Sequence, residues 1–194
     1  MKTTSFLTLS ILGSAALLCA QEVSTPVVEV GGSYSYMRVN PGGGLSSYNT
    51  NGGFGTVEYN LNKVVGVVAE LGGDHVGTSN GLTLNNTTFS YLFGPRFNWR
   101  LARFTPYVQT LVGGERFSSA FNPVTGASAS GVSQNNFAVA IGGGIDYNLN
   151  KRIALKPVQV EYVMAQVPQT GTNFTFTQNN LRYSAGVVFR FGSK

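Results

Sequence analysis

The segment from residue 181 to residue 191 constrains the fold of this chain more than any other feature of the sequence. Its residues alternate between two sets, because successive side chains of a β-strand point to opposite faces. One set is mostly large and apolar: Leu181, Tyr183, Ala185, Val187, Phe189 and Phe191. The other set contains both arginines: Arg182, Ser184, Gly186, Val188 and Arg190. The alternation recurs about eight times without a helical pattern in between, which predicts a wall of strands with lipid on its apolar side.

The first twenty residues have the pattern of an export signal. Lys2 supplies a positive charge, residues 6–18 form an apolar run, and a small residue then suits cleavage. We therefore expect a signal peptide over residues 1–20 and a mature domain over residues 21–194. A membrane anchor is the less favoured interpretation, because the apolar run is short for a transmembrane helix. Cleavage removes Cys19, the only cysteine, so the mature chain is predicted to form no disulfide and no thiolate metal site.

The low content of charged residues argues against an ordinary soluble domain. Charged residues make up 11% of the chain, whereas soluble globular domains contain about 25%. After the predicted signal peptide, no apolar stretch reaches the roughly eighteen residues of a transmembrane helix. A closed barrel also satisfies every backbone hydrogen bond inside a bilayer, and its strands need only about 9 to 11 residues. A secreted lipocalin-like barrel is the alternative, but it would carry its charges on the outside.

The alternation predicts an all-β fold, an eight-stranded antiparallel up-and-down transmembrane β-barrel. The predicted strands cover residues 27–38, 52–60, 64–74, 87–98, 103–117, 135–148, 153–165 and 178–191. Short connections are predicted at residues 60–63, 99–102 and 148–152. Long connections are predicted at residues 39–51, 75–86, 118–134 and 166–177. Short turns at one end and long loops at the other are typical of transmembrane barrels.

Charged residues lie on the minority face of the predicted strands. With the bulkier apolar residues assigned to the outside, nine charged residues point inward: Glu29, Glu58, Glu70, Arg96, Glu115, Asp146, Glu161, Arg182 and Arg190. This sorting is informative, because a lipid-facing arginine or lysine costs about 2 to 4 kcal/mol at mid-bilayer. Lys156 is the exception and is predicted to point outward. Either its ammonium reaches the interface, or Pro157 marks a β-bulge that disturbs the alternation.

The interior of an eight-stranded barrel is about filled by side chains, so these charges have little room for water. An unpaired buried ion costs several kcal/mol. We therefore expect Arg96, Arg182 and Arg190 to pair with glutamates of neighbouring strands and to form a polar plug rather than a conduit. We interpret the nine residues chiefly as scaffold, with an ion-conducting or gated lumen as the alternative.

Aromatic and basic residues mark the ends of the predicted barrel. One aromatic group lies next to the short turns: Tyr59, Phe97, Trp99, Phe104, Tyr147, Phe189 and Phe191. A second group lies nearer the long loops: Tyr36, Phe89, Phe117, Phe137 and Tyr162. The short turns also contain five bases: Lys63, Arg100, Arg103, Lys151 and Arg152. The aromatic groups match the girdles of transmembrane barrels, and the bases suit a rim near lipid headgroups better than a nucleic-acid site.

The closing segment resembles the C-terminal strand of a known family. Residues 184–191 are similar to the C-terminal assembly signal of OmpA-like outer-membrane β-barrel proteins, the small eight-stranded, porin-like domains of Gram-negative bacteria. The matching positions are Ser184, Gly186, Phe189 and Phe191. The resemblance covers essentially the whole mature chain. It implies a location in the cell outer membrane, contact with lipid and lipopolysaccharide, and handling by periplasmic chaperones and the outer-membrane assembly machinery.

The resemblance also suggests where the function lies. Larger members carry a periplasmic peptidoglycan-binding domain after the barrel, whereas residues 192–194 follow the last strand here, so no wall-tethering role is expected. The long connections are almost free of charge and rich in Asn, Ser, Thr and Gly. Such polar loops suit surface exposure and recognition or adhesion, and simple solvated connection is the alternative.

No catalytic, cofactor-binding or metal site is predicted. His75 is the only histidine, and the neighbouring Asp74 would point to the opposite face of the strand, so the two are poorly placed as an acid–base pair. One histidine and no mature cysteine give no zinc spacing. The glycines at residues 142–144 precede a strand rather than a helix, unlike a phosphate-binding loop. An outer-membrane enzyme built from converging loop residues remains the alternative.

Overall fold

The computed structural model describes residues 24–40, 47–79, 82–119, 132–168 and 175–194, which form a closed barrel of eight antiparallel strands. The strands are β1 (Val28–Val39), β2 (Tyr48–Asn60), β3 (Val65–Ser79), β4 (Leu82–Asn98), β5 (Phe104–Ser119), β6 (Val132–Asn148), β7 (Ile153–Pro168) and β8 (Thr175–Phe191). The predicted fold class is confirmed. Within the described residues, no helix is long and apolar enough to cross a membrane.

The first and last strands close the barrel. Val28 of β1 pairs with Phe191 of β8, and Glu29 pairs with Arg190. Immediately before β1 begins, the backbone amide of Val27 donates a hydrogen bond of 2.9 Å to the carbonyl oxygen of Phe191. Closure gives every strand a partner on both sides, so no strand edge faces the surroundings.

The two faces of the wall differ in chemistry, as the alternation predicts. Val67 and Val68 are adjacent and identical, yet the first is 45% exposed on the outside and the second is 0% exposed in the lumen. Large apolar side chains cover the outer face on all eight strands, for example Tyr34, Val57, Leu71, Phe93, Val108, Ile141, Tyr162 and Phe189. The outer face therefore suits contact with lipid hydrocarbon.

The strands are longer than predicted where they approach the long connections. The predicted connection over residues 75–86 is wrong, because β3 continues to Ser79 and β4 begins at Leu82. Likewise, β5 extends to Ser119 and β6 begins at Val132. Beyond the bilayer neither face of a strand has to be apolar, so strand pairing continues there without the alternation that reveals it in the sequence.

A β-bulge in β7 corrects the predicted orientation of Lys156. Asp146 of β6 faces two residues of β7, Lys156 and Pro157, instead of one. The extra residue shifts the alternation, so Lys156 is 1% exposed in the lumen, whereas Pro157 and Val158 both face outward. The prediction of an outward lysine was wrong. Pro157 cannot donate a ladder hydrogen bond, which favours a bulge at this position.

Glycines occur where neighbouring strands approach each other closely. A Cβ atom at Gly113 would lie 2.0 Å from the carbonyl oxygen of Tyr91, and a Cβ atom at Gly142 would lie 2.2 Å from that of Val160. Both obstacles are backbone atoms of a paired strand, which move only at the expense of the ladder. The absence of a side chain at these positions allows the sheet to coil tightly around a narrow lumen.

The lumen also contains an apolar layer that the sequence analysis did not predict. It is formed on the inner face of β3 to β7 by Val68, Leu92, Leu111, Ala138, Ala140, Val163 and Ala165. Each of these residues is at most 2% exposed. The polar residues of the lumen therefore share it with a packed apolar cluster, and the narrow interior is filled on that side.

Candidate functional site in the barrel lumen

The lumen contains the charged side chains that the strand alternation assigns to it. All nine are buried on the inner face: Glu29, Glu58, Glu70, Arg96, Glu115, Asp146, Glu161, Arg182 and Arg190. Asp74 and Lys156 are buried there too. Every aspartate and glutamate of the described residues is therefore in the lumen, and the outer wall of that part carries no acidic side chain. We term the end with the short connections the turn end and the opposite end the loop end.

A three-residue ion cluster crosses the middle of the lumen. Arg182 Nη2 lies 2.5 Å from Glu70 Oε1 of β3 and 2.6 Å from Glu161 Oε2 of β7. The Nε of the same arginine donates to Glu161 Oε2 at 2.9 Å. Gln109 Nε2 donates to Glu161 Oε1 at 2.7 Å, and the guanidinium lies 4.6 Å from the centre of the Phe54 ring. One arginine therefore connects two glutamates from opposite sides of the barrel.

A second ion pair lies nearer the turn end. Arg96 Nη1 of β4 lies 2.9 Å from Glu58 Oε2 of β2, and its Nε donates to Gln109 Oε1 at 2.8 Å. Asn98 Nδ2 donates to Glu58 Oε1 at 2.6 Å. The guanidinium of Arg96 also stacks 4.3 Å from the centre of the Tyr107 ring. The shared Gln109 links this pair to the central cluster.

Two arginines converge on Glu29 at the turn end. Arg190 Nε donates to Glu29 Oε2 at 2.8 Å, and Arg100 Nη2 donates to Glu29 Oε1 at 2.5 Å. Asn60 Nδ2 donates to Glu29 Oε1 at 3.0 Å, and Arg190 Nη1 donates to Asn148 Oδ1 at 2.7 Å. The interpretation of Arg100 as a rim base was wrong. Its long side chain returns from the turn into the lumen, a direction that strand parity does not specify.

The pairing partners only partly follow the predicted rule of neighbouring strands. Arg190 pairs with Glu29 of the adjacent β1, and Arg182 pairs with Glu161 of the adjacent β7. The contact from Arg96 to Glu58 joins β4 to β2 past the intervening β3, and the contact from Arg182 to Glu70 joins β8 to β3 across the lumen. Side chains as long as arginine span a narrow barrel, so strand adjacency alone does not select their partners.

Lys156 and Tyr107 form a further contact in the turn-end half. Lys156 Nζ lies 5.4 Å from the centre of the Tyr107 ring, on which Arg96 also stacks. Tyr107 Oη donates to Gln159 Oε1 at 2.6 Å. Asp146 faces Lys156 across the bulge. An electron-rich ring flanked by two cations reduces their mutual repulsion.

Asp74 and His75 are not placed as an acid–base pair. Asp74 is buried and accepts a hydrogen bond of 2.9 Å from Ser35 Oγ, whereas His75 faces outward and lies 3.3 Å from Thr87 Oγ1. Among the described residues, no group of three or more His, Cys, Asp or Glu side chains is placed to hold a metal ion.

The residues that resemble an assembly signal lie on both faces of β8. Phe189 and Phe191 are exposed on the outer face at the turn end, whereas Ser184 is buried in the lumen. Gly186 pairs with Ser33 of β1 and with Lys156 of β7. The two aromatic rings are therefore available on the outside of the strand that closes the barrel.

The described fold is similar to that of several solved outer-membrane proteins. Neisserial surface protein A is 13% identical, with a TM-score of 0.70 over 88% of this chain and 100% of that chain. Ail, the attachment invasion locus protein of Yersinia pestis, is 16% identical, with a TM-score of 0.56 over 84% of this chain and 97% of that chain. OprG from Pseudomonas aeruginosa is 15% identical, with a TM-score of 0.57 over 87% of this chain and 97% of that chain.

The sequence itself identifies the family. No curated protein sequence matches the chain. Residues 4–191, however, match the outer membrane protein beta-barrel domain, which is nearly the whole sequence. The chain therefore belongs to the outer membrane protein beta-barrel family, whose members lie in the outer membrane of Gram-negative bacteria in contact with lipid and lipopolysaccharide.

Proposed function

We propose that this protein is a structural outer-membrane barrel whose lumen is closed to ions and whose polar loops are presented for recognition at the cell surface. The main support for a closed lumen is the central cluster, in which Arg182 binds both Glu70 and Glu161, two glutamates that lie on opposite sides of the barrel. Its side chains are at most 3% exposed. An ion that passes through must separate these charges or squeeze between them.

The remaining contacts of the lumen support the same proposal. The Arg96–Glu58 pair and the two arginines on Glu29 add two further levels of ion pairing between the central cluster and the turn end. Breaking a buried pair costs about 3 to 5 kcal/mol, because it leaves an uncompensated charge in a region of low dielectric. Three such levels in one narrow barrel oppose a continuous water path. A narrow porin-like channel is the alternative, and it predicts stepwise conductance of the wild-type barrel.

We expect the wild-type barrel to show no stepwise conductance in planar bilayers. The matched control replaces with serine the four glutamates and four arginines of all three levels, which removes their long side chains and leaves the net charge of the lumen unchanged: Glu29, Glu58, Glu70, Glu161, Arg96, Arg100, Arg182 and Arg190. This variant is expected to admit water and to conduct small ions, provided that its folded band persists in unheated electrophoresis. Stepwise conductance of the wild type at the level of the control would contradict the closed lumen.

The recognition role rests on the segments that connect the strands at the loop end. Residues 40–47, 120–131 and 169–174 contain no Asp, Glu, Lys or Arg and are rich in Asn, Ser, Thr and Gly. Ail, whose name refers to attachment, has also been solved with the heparin analogue sucrose octasulfate. A polyanion of that kind requires basic side chains, which these segments lack. We therefore propose an uncharged partner surface, such as a neutral glycan, for this chain.

We expect cells that display this protein to bind neutral glycans, with little dependence on salt because no ion pair forms. Replacing residues 120–131 by a short glycine-serine turn should weaken binding while the barrel stays folded. Binding is measured on immobilised neutral and sulfated glycans, with non-displaying cells as the control. Preference for the sulfated series, or binding that survives shortening of every loop-end segment, would contradict the proposed role.

The route to the membrane completes the proposal. Residues 1–20 act as a cleaved signal peptide, residues 21–194 form the exported barrel, and periplasmic chaperones deliver it to the assembly machinery. That machinery reads β8 through Ser184, Gly186, Phe189 and Phe191. The exposed rings of Phe189 and Phe191 on the closing strand support this reading. The proposed role includes no catalytic step and no cofactor.

A further inference from the structure

The two halves of the lumen differ in their balance of charge. In the turn-end half, three carboxylates face four bases: Glu29, Glu58 and Asp146, with Arg96, Arg100, Lys156 and Arg190. From the central cluster to the loop end, four carboxylates face one base: Glu70, Asp74, Glu115 and Glu161, with Arg182. Arg182 is already shared by Glu70 and Glu161. Within the described residues, Asp74 and Glu115 therefore lack a basic partner within ion-pair distance.

Glu115 lies in a row of polar side chains on three adjacent strands. It pairs in register with Ser90 of β4 on one side and with Asn136 of β6 on the other. All three point into the lumen and are between 3% and 5% exposed. Side chains directly opposite each other on paired strands have Cβ atoms about 4.5 to 5.5 Å apart, so Ser90 and Asn136 each lie beside Glu115.

Several buried polar atoms of this row lack a hydrogen-bond partner among the described residues. These atoms are Glu115 Oε2, Ser90 Oγ, and both Oδ1 and Nδ2 of Asn136. Burying such groups is unfavourable unless something satisfies them, and most buried polar groups of native proteins are satisfied. Three of these four atoms are oxygens, and the nearest excess charge is negative. Oxygen ligands of mixed charge in an acidic environment are what a hard cation selects.

We propose that Glu115, Asn136 and Ser90 bind a hard cation in the loop-end half of the lumen. Glu115 supplies the charged oxygen, and Asn136 Oδ1 and Ser90 Oγ supply neutral oxygens. Among common cations Ca²⁺ fits best, because it accepts flexible sets of carboxylate, amide and water oxygens, whereas Mg²⁺ demands near-ideal octahedral geometry. The cation offsets part of the excess negative charge of this half.

The test measures thermal unfolding of the purified barrel in a neutral detergent, free of lipopolysaccharide, at increasing CaCl₂ concentration. The apparent Tm of the wild type should rise in a saturable manner, because a ligand that binds the folded state stabilises it by mass action. Glu115→Gln should abolish the rise, and Asn136→Leu should weaken the apparent affinity roughly tenfold or more. Asp146→Asn, which removes one lumen carboxylate in the turn-end half, is the matched control and should retain the full rise.

Other outcomes overturn the proposal. If Glu115 is a protonated carboxylic acid and not a cation ligand, CaCl₂ should not raise the apparent Tm of the wild type. Glu115→Gln should then behave like the wild type at every CaCl₂ concentration. An equal response of the wild type and Glu115→Gln would place the cation elsewhere. Every aspartate and glutamate of the described residues lies in the lumen. The outer wall of that part therefore offers no carboxylate for adventitious Ca²⁺ binding.

Discussion

Replacing Arg182 with methionine is expected to destabilise the folded barrel by about 3 to 5 kcal/mol. The guanidinium lies 2.5 Å from Glu70 Oε1 and 2.6 Å from Glu161 Oε2. Methionine retains an apolar stem but is shorter and has no charge, so two buried carboxylates would be left facing each other across the lumen. The loss of stability arises from the repulsion between these carboxylates and from the hydrogen bonds that they lose.

The measurement is urea-induced unfolding in lipid vesicles, followed by the fluorescence of Trp99, the only tryptophan. Replacing Glu70 and Glu161 with glutamine in the same variant removes the stranded charges and should restore most of the lost stability. Arg38→Met is the matched control for loss of an arginine. Arg38 is exposed and donates to Asn49 Oδ1 at 3.0 Å, so its loss should change stability by about 0.5 kcal/mol or less. A similarly small effect of Arg182→Met would show that the central cluster is not a stabilising element.

The barrel itself could be predicted because lipid applies one rule to every residue of the outer wall. Each strand that crosses hydrocarbon must alternate, so positions such as Val67 and Glu70 are assigned to the correct faces by parity alone. The closed antiparallel order follows from the need to satisfy every strand edge inside a bilayer. These constraints are independent of any particular contact, so the sequence alone predicts them.

Features that depend on local geometry could not be predicted in the same way. The bulge at Lys156 reverses the parity of one strand, and only the nearby Pro157 hinted at it. Arg100 sits in a turn, where no alternation exists, and its long side chain can run to the rim or into the lumen. The polar ends of β3 and β4 lie where the lipid rule no longer acts, so their length was underestimated.

Little in the sequence indicates which lumen residues act together. Asp74 stood out only beside His75, although its hydrogen-bond partner is Ser35. Ser90 and Asn136 are neutral residues in polar stretches and are singled out only by their register with Glu115. Cross-strand register depends on the number of residues in each loop that extend as strand, which composition does not reveal.

The arrangement of apolar side chains outside and ion pairs inside predicts a strong dependence of arginine substitutions on depth. Leu71 is 57% exposed on the outer face of β3, six residues from its turn end, and Leu61 is 53% exposed in the short connection between β2 and β3. The two leucines are similarly exposed, but a strand crosses hydrocarbon in about 9 to 11 residues, so only Leu71 is expected near mid-bilayer. Leu71→Arg should therefore cost about 2 to 4 kcal/mol, and Leu61→Arg about 0 to 1 kcal/mol.

Urea unfolding of both variants in lipid vesicles, alongside the wild type, tests this arrangement most directly. The lipid-facing wall predicts a loss of unfolding free energy for Leu71→Arg that exceeds the loss for Leu61→Arg by about 1 to 4 kcal/mol. Equal and small losses for the two variants would mean that water, rather than hydrocarbon, surrounds the outer face of β3. That result would contradict a lipid-facing outer wall.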